Sequence, residues 1–215
     1  AKDYLTREGL NPKYSIVTGS PMREILESNK QLINSSDILK KLSLKKDKYF
    51  LFSLHREENV DEAENLESIA HTLDQIEKRY KLPIIFSMHP RTLNRIENFG
   101  TNIRDTELLK IMKPFGFFDY CKLQTNAKLV FSDSGTITEE TSLLGLTSIT
   151  IRRTHERQEG MDSGVLVMSR IEKDKILNSV RLAISQNQNG NENICKVNDY
   201  ETNQLVSKQI TKIVS

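Results

Sequence analysis

Cysteine is nearly absent: Cys121 and Cys195 are the only two in 215 residues. Their separation supports neither a disulfide framework nor a paired-thiol metal site, and two reduced thiols fit a cytoplasmic protein. The histidines His55, His71, His89 and His155 lack spacings such as H-x-x-x-H, so neither a metal nor another cofactor is expected. No apolar run is long enough to span a bilayer, and the N-terminus lacks the basic segment, apolar stretch and cleavage site of a secretory signal. A membrane partner is therefore not expected. Charge of one sign is lacking as well: 31 basic and 29 acidic residues are interspersed, for a net charge of +2. That leaves no broad basic field for nucleic acid. What the chain does have is 37% hydrophobic and 28% charged residues, the ordinary mixture from which a globular protein of this length builds one sizeable core.

Short apolar runs rich in β-formers alternate with longer stretches of helical period, the pattern of a parallel sheet covered on both faces. The runs Tyr14–Thr18, Tyr49–Leu54, Ile84–Met88, Leu108–Met112, Leu129–Ser132, Ser148–Ile151 and Val165–Met168 are candidate strands. Helices are expected near 21–42, 60–80, 92–99, 118–126, 134–144 and 173–185, then a polar loop over Gln186–Asn193 and a last helix over 199–213. The fold class is α/β, a doubly wound, Rossmann-like parallel sheet. The chain starts at Ala1, already inside an amphipathic pattern, and this reads as a fragment lacking an upstream domain.

Ligands of such sheets sit beyond the carboxyl ends of the strands. There the sequence places His55-Arg56-Glu57-Glu58-Asn59, His89-Pro90-Arg91-Thr92, Asp133-Ser134-Gly135-Thr136 and the segment Arg152 to Gly160. Ser134-Gly135-Thr136 is expected to open a helix, where amides and dipole favour a phosphate. With Ile137 in place of a capping-box acid, those amides are not satisfied from within. A plain N-cap and tight turn explains the same residues equally well. Glu139 and Glu140 fall in the second turn of that expected helix, where one carboxylate could grip a ribose diol, although an isolated Glu pair is more often a solvated charge. Arg56 offers a planar fork for phosphate oxygens and His55 a donor near neutral pH. Against this, Glu58 and Asn59 could cap the next helix, and Arg56 could pair with Glu58. His89-Pro90 suits a helix start, and the charged run from Arg153 to Gly160 suits a solvated loop. Tyr120 lies in an aromatic stretch that suits core packing, or one ring stacked on a base.

Taken together and in order, H-R-x-E-N at His55, H-P at His89, S-D-S-G-x-I-x-E-E at Ser132 and T-x-E-R-x-E-G at Thr154 resemble the C-terminal half of the non-hydrolysing UDP-N-acetylglucosamine 2-epimerase family. The resemblance runs from Ile16 to Val167. The fuller strings H-P-R-T, G-F-x-D-Y and S-D-S-G-T-I-T-E-E are similar to the subgroup making UDP-N-acetyl-L-fucosamine for capsule and O-antigen. It implies the C-terminal half of a two-domain GT-B type fold, with residues 1–19 as tail and crossover, 20–198 as the UDP-binding domain and 199–215 as a C-terminal helix. It also implies a UDP-sugar substrate, a missing N-terminal domain of the same protein and a homodimer.

By the same resemblance, Ser134 with the amides of Gly135 and Thr136 would hold phosphate, and Glu140 the ribose hydroxyls. His55 and Arg157 would hold the diphosphate, and Tyr120 would lie near the uracil. Arg56, Glu58 and His89 complete the expected UDP site, and His55 is the one catalytic candidate, the main acid and base groups belonging to the absent half. The pattern departs from the family at Ser20 (usually asparagine), Thr136 (a second glycine), Gln158 (proline) and Phe118-Asp119-Tyr120 (L-P-F). A GT-B glycosyltransferase or a non-catalytic UDP-sugar-binding module would use the same pocket. They differ from an epimerase in whether a sugar is transferred, and in whether the C2 proton exchanges with solvent.

Overall fold

The computed structural model describes residues 2–152, 160, 162–188, 196–197, 200 and 205–214. Its centre is a six-stranded sheet, β1 (Phe50–Ser53), β2 (Ile84–Ser87), β3 (Leu109–Met112), β4 (Leu129–Ser132), β5 (Ser148–Ile151) and β6 (Val167–Ser169), in the order β3-β2-β1-β4-β5-β6. Every pairing is parallel. The sequences FLFS, IIFS, LVFS and SITI are apolar or small throughout because both faces of these inner strands are covered.

Strand parity sorts the side chains into two cores. On one face, Phe52 stacks on Phe131 at 3.9 Å between ring centres and tilts against Phe86 at 5.9 Å. This face is covered by α6 (Ala63–Tyr80) through Leu66, Ile69, Leu73 and Ile76, by α7 (Pro90–Phe99) through Ile96, and by α10 (Lys173–Gln188) through Ile176, Val180 and Ala183. The apolar positions of α6 recur at helical spacing, and the helix stops at Lys81 in a left-handed conformation. On the other face Tyr49, Leu51, Ile85 and Val130 meet Ile38 of α4 (Ile38–Lys41), Leu123 of α8 (Phe117–Asn126) and Ile137 of α9 (Ile137–Leu144). Helices on both sides of a parallel sheet make the fold α/β and doubly wound, as the sequence pattern implies.

Four local expectations are corrected. Residues 14–18 are not a strand: a 3-10 turn at Pro12–Tyr14 leads into a segment without a ladder. Tyr14 is 81% and Val17 61% exposed, so β-forming residues without a neighbouring strand stay outside the sheet. The single helix expected over 21–42 is three, α2 (Met22–Ser28), α3 (Lys30–Ser35) and α4. At the first break Ser28 Oγ donates to the Glu24 carbonyl and Asn29 Nδ2 to that of Ile25, side-chain bonds that compete with continuation of the helix. α10 extends through Gln188, into the stretch read as loop, since glutamine is a good helix former. The last described helix, α11, is Val206–Val214, and Leu205, within the range expected for it, is not helical; the expected start at Asp199 lies outside the described residues.

Candidate functional site

The parallel register brings Ser87, Ser53, Ser132 and Thr150 into one row across β2, β1, β4 and β5. Beyond this row of hydroxyls the chain leaves each strand, and the sequence-expected clusters gather there. A cleft of about 500 Å3 is lined by His55, Arg56, Glu57, Glu58, His89 and Arg91. His89 caps α7, its Nδ1 accepting from the Arg91 amide at 3.3 Å, with Pro90 as the first helical residue. It has a structural duty and lines the cleft as well. Arg91 binds Glu57 and, at 2.8 Å, Asp61, which also accepts from Arg95 at 3.0 Å.

Asp133, the residue after β4, is fully buried. Its Oδ2 accepts from the amides of His55 (2.9 Å) and Arg56 (2.8 Å) and from Asn59 Nδ2 (3.0 Å). Asn59 Nδ2 also donates to the Ile151 carbonyl at 2.9 Å, so one carboxylate and one amide join the ends of β1, β4 and β5. The sequence motifs contained both residues, but their part as buried connectors has no sequence signature. Glu58 lies between two cations, Arg56 Nη1 at 3.6 Å and the buried Arg152 Nε at 3.9 Å. The pairing with Arg56, weighed as the plainer alternative, is therefore present.

The segment Ser134–Thr136 does not begin the helix as expected: α9 begins at Ile137 with Thr136 as its N-cap. Side chains hold the chain in a preceding turn, Ser132 Oγ accepting from the Ser134 amide (3.1 Å) and Ser134 Oγ from the Thr136 amide (3.3 Å). Glu139 and Glu140 consequently lie in the first turn, not the second, where their charge suits the helix dipole. The Gly135 amide makes no hydrogen bond among the described residues. Gly135 also has no positive φ, and a Cβ there would meet only Arg56 Nη2, at an ordinary 3.7 Å. The fold itself does not require glycine at this position.

Glu140 accepts from Thr136 Oγ1 at 2.7 Å and from Gln124 Nε2 at 2.5 Å. Glu139 instead turns inward and accepts from Ser20 Oγ at 2.8 Å. Tyr120 packs partly into the second core, its phenol facing the hydroxyls of Ser53 and Ser132 and the carboxylates of Glu140 and Asp133. Burial, chiefly, pushes its ionisation well above the ordinary phenol range. Asp119, one of the departures noted above, accepts from Ser36 Oγ at 2.5 Å and so ties α8 to the chain between α3 and α4.

Thus His55, Arg56, Glu58, His89, Tyr120, Ser134, Gly135, Thr136 and Glu140 all stand at the carboxyl edge of the sheet, with Asp133 between the two groups; Arg157 lies outside the described residues. The arrangement offers a guanidinium, an imidazole, two hydroxyls and a helix N-terminus on one side, and a carboxylate already held by two donors on the other. That is a binding surface for an anion joined to a neutral polyol.

The family model described as UDP-N-acetylglucosamine 2-epimerase matches residues 1–215. Proteins named UDP-N-acetylglucosamine 2-epimerase from Methanococcus maripaludis and Methanocaldococcus jannaschii are 30% and 31% identical, over 89% and 88% of this chain but 54% and 53% of their own lengths. The chain spans about half the length of the curated relatives it matches. Among solved structures, the UDP-N-acetylglucosamine 2-epimerase of Rickettsia bellii is 39% identical, with a TM-score of 0.85 over 99% of this chain and 56% of that one. The M. jannaschii UDP-GlcNAc 2-epimerase, crystallised with UDP-GlcNAc and UDP, is 28% identical with a TM-score of 0.86, over 99% and 58%. The fold is accordingly the Rossmann-like α/β unit of the GT-B type. With the family model matching from end to end, the chain belongs to the UDP-N-acetylglucosamine 2-epimerase family.

Proposed function

We propose that this chain is the UDP-binding half of a UDP-N-acetylhexosamine 2-epimerase. The observation that carries the reading is Gly135: neither its backbone conformation nor its neighbours demand glycine, yet it faces Arg56 just before α9. A diphosphate approaching the backbone would give that position its reason. Arg56, the Ser134 hydroxyl and the amides of Gly135 and Thr136 would hold the diphosphate with His55 and Arg157, Glu140 would take the ribose hydroxyls, and Tyr120 would border the uracil. Glu58 and His89 complete the wall of the cleft, Glu58 by fixing Arg56. The M. jannaschii relative's complex with UDP-GlcNAc and UDP supports this ligand class.

In the reaction, the C1–O bond to UDP breaks as a base removes the C2 proton, giving a 2-acetamidoglycal and UDP. Protonation of C2 from the opposite face and return of UDP to C1 complete the inversion. This half would stabilise the charge of departing UDP and keep it in place for re-addition. The acid and base groups would belong largely to the other half. Residues 1–19 would form the crossover from that half, 20–198 the UDP-binding domain and 199–215 a terminal helix, in a cytoplasmic homodimer serving capsule or O-antigen synthesis. The strings at His89, Gly116 and Ser132 favour the UDP-N-acetyl-L-fucosamine subgroup.

Two measurements test this. UDP is expected to bind the 215-residue chain in a calorimetric titration without any turnover; robust epimerisation by this chain alone would contradict the assignment of the proton-transfer groups. The protein containing both halves, given a UDP-sugar in D2O, should introduce deuterium at C2 with UDP still attached. Transfer of the sugar to an acceptor would instead identify a glycosyltransferase.

A further inference from the structure

The two glycines flanking the start of α9 contrast. Gly135 could carry a Cβ without a clash, whereas a Cβ at the buried Gly160 would stand 1.9 Å from Thr138 Cγ2 and 3.4 Å from Thr138 Cβ. No pair of non-bonded carbons approaches to the first distance. Thr138 cannot easily yield: it is 1% exposed, lies in the first turn of α9 and is β-branched, which restricts its rotamers in a helix. Residue 160 is held from its other side, its carbonyl accepting from the Val165 amide at 3.2 Å, and Val165 Cγ2 would lie 3.5 Å from the added carbon. A side chain at 160 must therefore displace either residue 160 or the first turn of α9. That turn directly follows Ser134–Thr136.

We infer that Gly160 is a positioning residue for the nucleotide site: having no side chain, it lets residue 160 lie flush against Thr138, and this contact sets where the amides of Gly135 and Thr136 stand. The inference rests on the reading of those amides as diphosphate ligands. The role assigned is one of positioning, exerted through Thr138.

The test is a double-mutant cycle with Gly160→Ala and Thr138→Ser, the second removing the clashing methyl while keeping the hydroxyl. Each protein is titrated with UDP, melted, and its Gly135 and Thr136 amide resonances recorded. Gly160→Ala is expected to weaken UDP binding about ten-fold or more, since small misplacements of site groups carry large penalties, and to shift both resonances. In the Thr138→Ser background the same change should cost about three-fold or less and leave the resonances nearly in place, because the overpacked contact is gone. Equal losses in both backgrounds, or no loss in either, would overturn the proposal. Should Gly160→Ala fail to fold, recovery of a cooperative melt in the double variant supports the contact, and its absence overturns it. If the unmodified chain binds no UDP, the functional reading fails, while the resonance shifts and their reversal still judge the positioning role.

Discussion

Asp133 and His55 meet across the boundary of β4 and β1, with Asp133 Oδ1 3.3 Å from His55 Nδ1 and Oδ2 2.9 Å from the His55 amide. One buried carboxylate thus hydrogen-bonds the histidine backbone and lies beside its ring, its Oδ1 making no hydrogen bond among the described residues. A negative charge beside Nδ1 favours a proton on that nitrogen over one on Nε2. The imidazole side chain is 48% exposed and lines the cleft.

Replacing Asp133 tests that arrangement. Asp133→Ala strands the His55 and Arg56 amides and leaves Asn59 Nδ2 with the Ile151 carbonyl alone, and is expected to lower folding stability by about 3 kcal/mol or more in urea denaturation. Asp133→Asn keeps one oxygen and should cost less, but its amide no longer places a negative charge beside Nδ1. The expected signature is a change in the His55 tautomer by nitrogen NMR; an unchanged tautomer would remove Asp133 from this role.

Ser134→Ala and Glu140→Ala should each weaken UDP binding by roughly 1–3 kcal/mol, the usual penalty for losing a buried hydrogen-bond partner. Glu140 is already oriented by Thr136 and Gln124, so Gln124→Leu should reduce affinity in the same direction by a smaller amount. Calorimetric titration of the three variants checks this, and identical isotherms for Ser134→Ala and Glu140→Ala would dismiss the pocket.

Ser20→Ala removes the hydroxyl that donates to Glu139 Oε2 and also accepts from the Met22 amide at 3.1 Å. With Glu139 only 6% exposed, losing the donor should lower stability by about 1–3 kcal/mol. A denaturation midpoint equal to that of the unmodified chain would show that another group takes over the carboxylate.

Burial, with Glu140 as the second cause, pushes the Cys121 thiol up to about 12. The group is therefore a neutral thiol throughout the range in which an ordinary cysteine ionises, and it is 2% exposed. Iodoacetamide should leave Cys121 unlabelled between about pH 7 and 9 in the folded chain and label it once urea is added, as peptide mass mapping can follow. Labelling that rises through the ordinary thiol range without denaturant would contradict this.

The parallel sheet was legible because runs such as Phe50-Leu51-Phe52 and Leu129-Val130-Phe131 bury side chains on both faces, and composition alone records that. The site was legible in part, since residues that follow the strands of a parallel sheet all arrive at one edge. The run at 14–18 misled because alternation marks a strand only where a neighbour exists to pair with it. The start of α9 misled because Ser132 and Ser134 bond to the following amides and delay the helix.

Local order in the chain determined which residues form strands, which follow them, and hence which side chains reach the carboxyl edge; these depend on hydrophobic period and on covalent sequence. Only the tertiary structure decided that Asp133 anchors His55, that Glu139 faces Ser20 while Glu140 faces Thr136, and that Gly160 must stay bare against Thr138. Each of those joins residues far apart in the chain or depends on helix phase, and such contacts are set by how β1, β4 and β5 pack side by side.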